Sequence, residues 1–85
     1  MQIDYSGVNM IDGKPHIWLQ SYGLAPAKQA KELKPGDIRL YNFGSTGEIL
    51  SVRQGKKTVY IEIQEENGQI YNVKYRSERY IPMVN

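Results

Sequence analysis

The sequence predicts a mainly β protein: a small five-stranded antiparallel barrel, preceded by a short helix and an N-terminal hairpin arm. Three observations lead there. Residues 58–64 alternate strictly, with Val59, Ile61 and Ile63 on one face and Tyr60, Glu62 and Gln64 on the other, the period of a half-buried strand. Glycine turns punctuate the chain, at Asp12-Gly13, Gln54-Gly55 and Asn67-Gly68. The segments between turns have strand length, and so short a sheet hides its apolar face by curling on itself.

The elements follow in order. Residues 1–23 form the arm. Asp12-Gly13 lies between two apolar runs, a hairpin signal because glycine supplies positive φ at low steric cost. Pro15 weakens that hairpin, since proline cannot donate to a ladder. Residues 24–33 turn to Ala, Lys, Gln, Glu and Leu, which are good helix formers. Pro26 suits a first helical position, and Pro35-Gly36 stops the segment. The expected helix is about two turns long and needs packing through Leu24, Ala27, Ala30 and Leu33.

Residues 34–85 carry the expected barrel, with strands over 38–43, 48–53, 58–64, 70–76 and 81–84. Gly44-Ser45-Thr46-Gly47 reads as the first turn. Asn67-Gly68 is the pair that a type I′ turn prefers. Pro82 places the last strand at an edge.

At 85 residues the chain predicts one domain spanning its length. Mean hydropathy is low, −0.58. Seven Tyr, one Trp and one Phe, with many β-branched residues, still supply a core and exclude a wholly disordered chain. A domain of this size buries only about two-thirds of its unfolded surface, so it relies on close packing or self-association. Cysteine is absent, which removes disulfides, thiol nucleophiles and Cys-based zinc sites. No apolar run approaches the ~18 residues of a membrane span. Met1-Gln2-Ile3-Asp4 lacks the basic start and apolar stretch of a secretory leader. Together these predict a cytoplasmic protein with no membrane association, no metal and no cofactor.

Leu33-Lys34-Pro35-Gly36-Asp37-Ile38, followed by Gly47-Glu48-Ile49-Leu50-Ser51-Val52, resembles the KOW-type and related SH3-like small barrels. These carry Gly-Asp before the first strand and a Gly opening the second. The likeness spans about residues 33–64, with a shorter first loop, and implies an SH3-like barrel that binds RNA or protein. Gln69-Ile70-Tyr71 is similar to a substrate-contacting segment of the plasmid-borne type II dihydrofolate reductases, which are also small barrels. That likeness implies a tetrameric reductase using a nicotinamide cofactor, but the Lys those enzymes place after the Gly-Asp strand start is missing. In general look the chain resembles short accessory proteins of bacterial viruses and mobile elements.

The residues themselves argue against an enzyme. His16 is the sole histidine, and no triad partner is identifiable from spacing. Glu62, Glu65 and Glu66 read as a solvated face beside a turn. Gly44-Ser45-Thr46-Gly47 lacks the Lys and following helix of a phosphate cradle.

A non-catalytic binding module is the expected role, with two classes of target. The first is protein, as a regulator or inhibitor, through Trp18, Tyr22, Tyr41 and Tyr80, because exposed aromatic side chains suit peptide grooves. The second is single-stranded nucleic acid or RNA. Arg53, Lys56, Lys57, Lys74 and Arg76 would contact phosphates, and Tyr60 and Tyr71 would stack on bases. Eleven Lys and Arg against nine Asp and Glu give a net charge of only +2, which tips the balance toward protein or self-association.

Overall fold

The computed structural model describes residues 2–84; Met1 of the arm and Asn85 at the end of the expected barrel lie outside them. Its strands are β1 Val8–Ile11, β2 Lys14–Leu19, β3 Gly23–Gln29, β4 Ile38–Leu40, β5 Thr46–Gln54, β6 Thr58–Glu65, β7 Ile70–Arg76 and β8 Tyr80–Pro82. They form two four-stranded sheets, ordered β1-β2-β3-β8 and β4-β5-β6-β7. Every pairing is antiparallel.

The alternation over residues 58–64 becomes β6, an inner strand of the second sheet. Val59, Ile61 and Ile63 point inward and are at most 2% exposed. Ile61 sits in register between Val52 of β5 and Val73 of β7. Around this row pack Ala30, Leu33, Ile49, Tyr75, Ile81 and Met83. A register shift in β5 between Ile49 and Ser51 lets Ile49 and Val52, three residues apart, both reach the core side. A smaller cluster of Leu19, Ala25 and Leu40, with Ile17 against it, joins the two sheets.

The arm is a hairpin, as expected. Asp12 and Gly13 both have positive φ, 52° and 76°, as a type I′ turn requires. Pro15 pairs with Met10, one step from the turn. That position is not hydrogen-bonded to β1, so no ladder bond is lost. A Cβ added at Gly13 meets no atom within 4 Å, so a substitution there costs conformational energy alone. Gly13→Val is expected to lower stability by about 1–2 kcal/mol, measured as a lower urea midpoint with an unchanged m-value.

The Asn67-Gly68 turn differs from its reading. At Asn67-Gly68 only Gly68 has positive φ, 87°. Gly68 N donates to Glu65 O at 2.9 Å and Glu65 N to Gln69 O at 2.8 Å. This is a three-residue loop closed by a glycine bulge, not a type I′ turn.

The expected helix at 24–33 does not form. Residues 23–29 are β3, and only Ala30–Glu32 make a single 3₁₀ turn. β3 has a partner on each side: Ala25 faces Ile17 of β2, and Lys28 faces Ile81 of β8. Ala25 and Ala27 alternate as buried residues. A two-turn helix is marginal, and its propensity advantage of at most about 0.7 kcal/mol per residue is outweighed by ladder bonds and burial.

The five expected strands of residues 34–85 are all present, but they do not close into a five-stranded barrel. β4 is only three residues long and offers little ladder to a closing strand. β8 instead pairs with β3 as an edge strand, consistent with Pro82. The chain beyond it touches β4 through an isolated Arg39–Met83 bridge and a bond from Val84 N to Ile38 O at 3.0 Å. Residues 80–84 therefore stitch one sheet to the other. Among the described residues no helix is long and apolar enough to cross a membrane.

Candidate binding surfaces

Alternation along β4 sets up the first surface. Leu40 points into the small cluster with Leu19 and Ala25. Arg39 and Tyr41, on the opposite side, face each other with the guanidinium 4.5 Å from the ring centroid. The Arg39 guanidinium also lies 5.3 Å from the Tyr75 ring and donates through Nη1 to the Tyr75 hydroxyl. Arg79 covers the same Tyr75 ring at 5.1 Å. Tyr41 donates its hydroxyl to Glu65 Oε1 at 2.9 Å. The result is a ladder running Glu65, Tyr41, Arg39, Tyr75, Arg79.

Beside this ladder, at the seam between the sheets, lies a groove of about 420 Å³. Its walls include Trp18, Arg39, Tyr41, Phe43, Arg79 and Tyr80. Three of the four residues expected at a protein-binding site, Trp18, Tyr41 and Tyr80, meet here. Tyr22 does not; it sits 50% exposed in the β2–β3 turn. Trp18 is held edge-to-face by Tyr5, with centroids 5.0 Å apart, and β2 carries it in register with Leu24. Phe43, 76% exposed, and Arg39 complete the groove and were not among the expected site residues. Arg39 had a local signal in the spacing of Arg39 and Tyr41, which puts charge and ring on one side of a strand.

Burial pushes the Arg39 guanidinium below its ordinary value, and the nearby Arg79 acts in the same direction. Burial, reinforced by the bond to Glu65, raises the Tyr41 phenol from 10.0 to about 12. A folded value above the unfolded one means that stability is intact below pH 10 and is lost as pH rises toward about 12. Tyr41→Phe carries no such ionisation. Wild type is therefore expected to lose stability relative to Tyr41→Phe across that interval in pH-dependent urea unfolding. Parallel curves would contradict the assignment.

The second surface is the solvent face of the β5-β6-β7 sheet. Arg53 pairs with Tyr60, and Tyr60 with Lys74. The Arg53 guanidinium lies 4.2 Å over the Tyr60 ring. Thr58 pairs with Arg76 at the same end. A neighbouring hollow is lined by Lys56, Lys57, Arg76, Ser77 and Glu78. Lys31 joins this end through bonds from its N to Ser77 O and from Gln54 Nε2 to its carbonyl. Glu48, Glu65 and Glu66 lie toward the opposite end of the sheet, while Glu62 sits mid-face opposite Ser51 and Asn72. Folding thus sorts most of the charges that are interleaved in sequence.

Tyr71 does not join Tyr60. It lies on the other face of β7, in register with Ile63, and donates its hydroxyl to Gln69 Oε1. It lines a separate open groove of about 630 Å³ with Tyr41, Thr46, Glu65 and Glu66. Glu66 there accepts from Thr46 N and Oγ1 at 3.1 and 2.9 Å. His16 Nδ1 lies 3.0 Å from Lys14 O. Gly36 (φ 95°) and Asp37 precede β4, and Asp37 Oδ2 accepts from Lys34 N at 2.9 Å. No family model, curated protein or solved structure matches this chain.

Proposed function

We propose that the chain is a non-catalytic binding module that engages a protein through the groove at the seam of its two sheets. A regulator or inhibitor acts in this way. One observation carries the reading: Trp18, Tyr41, Phe43 and Tyr80, from separate parts of the chain, converge with Arg39 and Arg79 on one concavity. Clustered aromatic and arginine side chains are the residues that dominate binding energy at protein interfaces. Trp18 is the only tryptophan, so its emission reports on the groove directly. Peptides selected on the immobilised protein from a random display library are expected to shift that emission and to lose binding to Phe43→Ala. Phe43 is so exposed that its removal leaves the core intact. Selected peptides indifferent to Phe43 would overturn the reading. A second copy of the chain is the competing occupant, which concentration-dependent light scattering detects.

A nucleic-acid reading has its own observation, the Arg53–Tyr60 stack with Lys74 on the adjacent strand. Tyr can stack on any base while Lys and Arg neutralise phosphates. Glu62 and Glu78 lie within or beside that patch and oppose it. Single-stranded oligonucleotide binding that weakens steeply with salt and disappears in Lys74→Ala would favour this reading.

A further inference from the structure

We infer that the groove is a carboxylate receptor: its occupant is an extended peptide that presents an Asp or Glu beside an apolar side chain, and Arg39 and Arg79 receive the acid. This rests on the protein-binding reading above and names the chemistry of the partner.

Arg39 has unmet hydrogen bonding. Its guanidinium is held between two tyrosine rings, and Nη1 is engaged by the Tyr75 hydroxyl. Its Nε is buried and has no acceptor. A buried N–H without an acceptor is uncommon and calls for an explanation. That N–H is closed off from a ligand, so an acid in the groove would meet the groove side of the Arg39 guanidinium and the exposed Arg79 guanidinium.

Charge points to the same ligand. Arg39 and Arg79 share one ring, and Arg79 depresses the basicity of Arg39, as like charges do. Among the described residues the one ion pair is Lys28–Asp37 at 3.2 Å, so neither arginine is paired with a carboxylate. Glu65 is engaged by the Tyr41 hydroxyl and Glu66 by Thr46. Glu78 sits by Lys56 and Lys57. Two cations with at most one nearby acid leave the ladder positive.

The lining of the groove is partly apolar. Ile17, Trp18 and Phe43 share the groove with the arginines. An anion carried on an apolar chain fits such walls, whereas a free hydrated anion gains nothing from them. Holding both cations in the free protein is a cost that an acidic ligand removes.

The test uses the full chain and peptides selected from a random display library. Binding peptides are expected to carry Asp or Glu next to Leu, Phe or Trp. Replacing that acid by its amide should weaken binding about tenfold or more, the ratio that a charge-assisted bond commonly sets. Arg79 is exposed, so Arg79→Gln preserves the fold and should weaken the acidic peptide while leaving the amide peptide unchanged. The Arg39 Nε–H resonance should shift on adding the acidic peptide. If peptides bind the groove in a Phe43-dependent way with no acidic preference, the carboxylate inference falls while the protein-binding reading stands. If selected peptides are indifferent to Phe43, both fall. An oligonucleotide that moves the Arg39 Nε–H signal when acidic peptides do not would assign the arginines to phosphate and overturn the inference.

Discussion

Ile61→Ala is expected to lower stability by about 3–4 kcal/mol, within the range for removing a buried isoleucine to its first carbon. Ile61 is 2% exposed and lies on an inner strand, in register with Val52 and Val73. Neighbours on both flanks are held by ladder bonds, so the site cannot collapse to fill the space. For an 85-residue domain the whole stability is of the order of 4–13 kcal/mol, so the loss is a large part of it. A fall in melting temperature of more than about 12 °C should follow. Urea unfolding of the variant measures the loss directly. A change below about 1 kcal/mol would show that this face of the sheet is not the principal core.

Deleting residues 80–85 is expected to unfold the protein. It removes Ile81 and Met83, which are 0% and 2% exposed. At about 2–5 kcal/mol for each buried side chain lost, the cost rivals the total stability. It also removes the β3–β8 ladder, the Arg39–Met83 bridge and the bond from Val84 to Ile38. β3 would then lose one of its two partners and the ladder bonds that hold it extended on that side. Circular dichroism and amide dispersion in NMR spectra read the outcome. A truncated chain that still unfolds cooperatively near the wild-type midpoint would mean that residues 80–84 do not tie the sheets together.

Local patterning made much of the fold legible. Alternation over 58–64 named the three inward residues of β6, because a period of two places successive side chains on opposite faces whatever lies around them. Asp12-Gly13 announced a hairpin turn, and both residues have the positive φ that it needs. The Asn67-Gly68 turn was visible as a turn, but its type was not, since type depends on how many residues the two strands leave unpaired. The four residues expected to bind protein come together only in part. Trp18, Tyr41 and Tyr80 do meet, whereas Tyr22 stays apart and Arg39 and Phe43 emerge only from the folded chain. In the nucleic-acid set, Tyr60 and Tyr71 were grouped by composition. Their places on opposite faces of the sheet follow from pairing register, because Tyr60 lies opposite Lys74 and Tyr71 opposite Ile63.

By itself the sequence determined the β class, the tight turns and the inward row of β6, all properties of a few consecutive residues. The tertiary structure alone decided three things. Residues 23–29 became a strand because partners from both ends of the chain flank them. The barrel stayed open because β8 found a better partner in β3 than in the three residues of β4. Arg39 came to lie between Tyr41 and Tyr75, 36 residues from the latter, without a carboxylate of its own. Each of these is a competition between distant segments for the same ladder or the same buried space. Its outcome depends on contacts that local propensities do not encode.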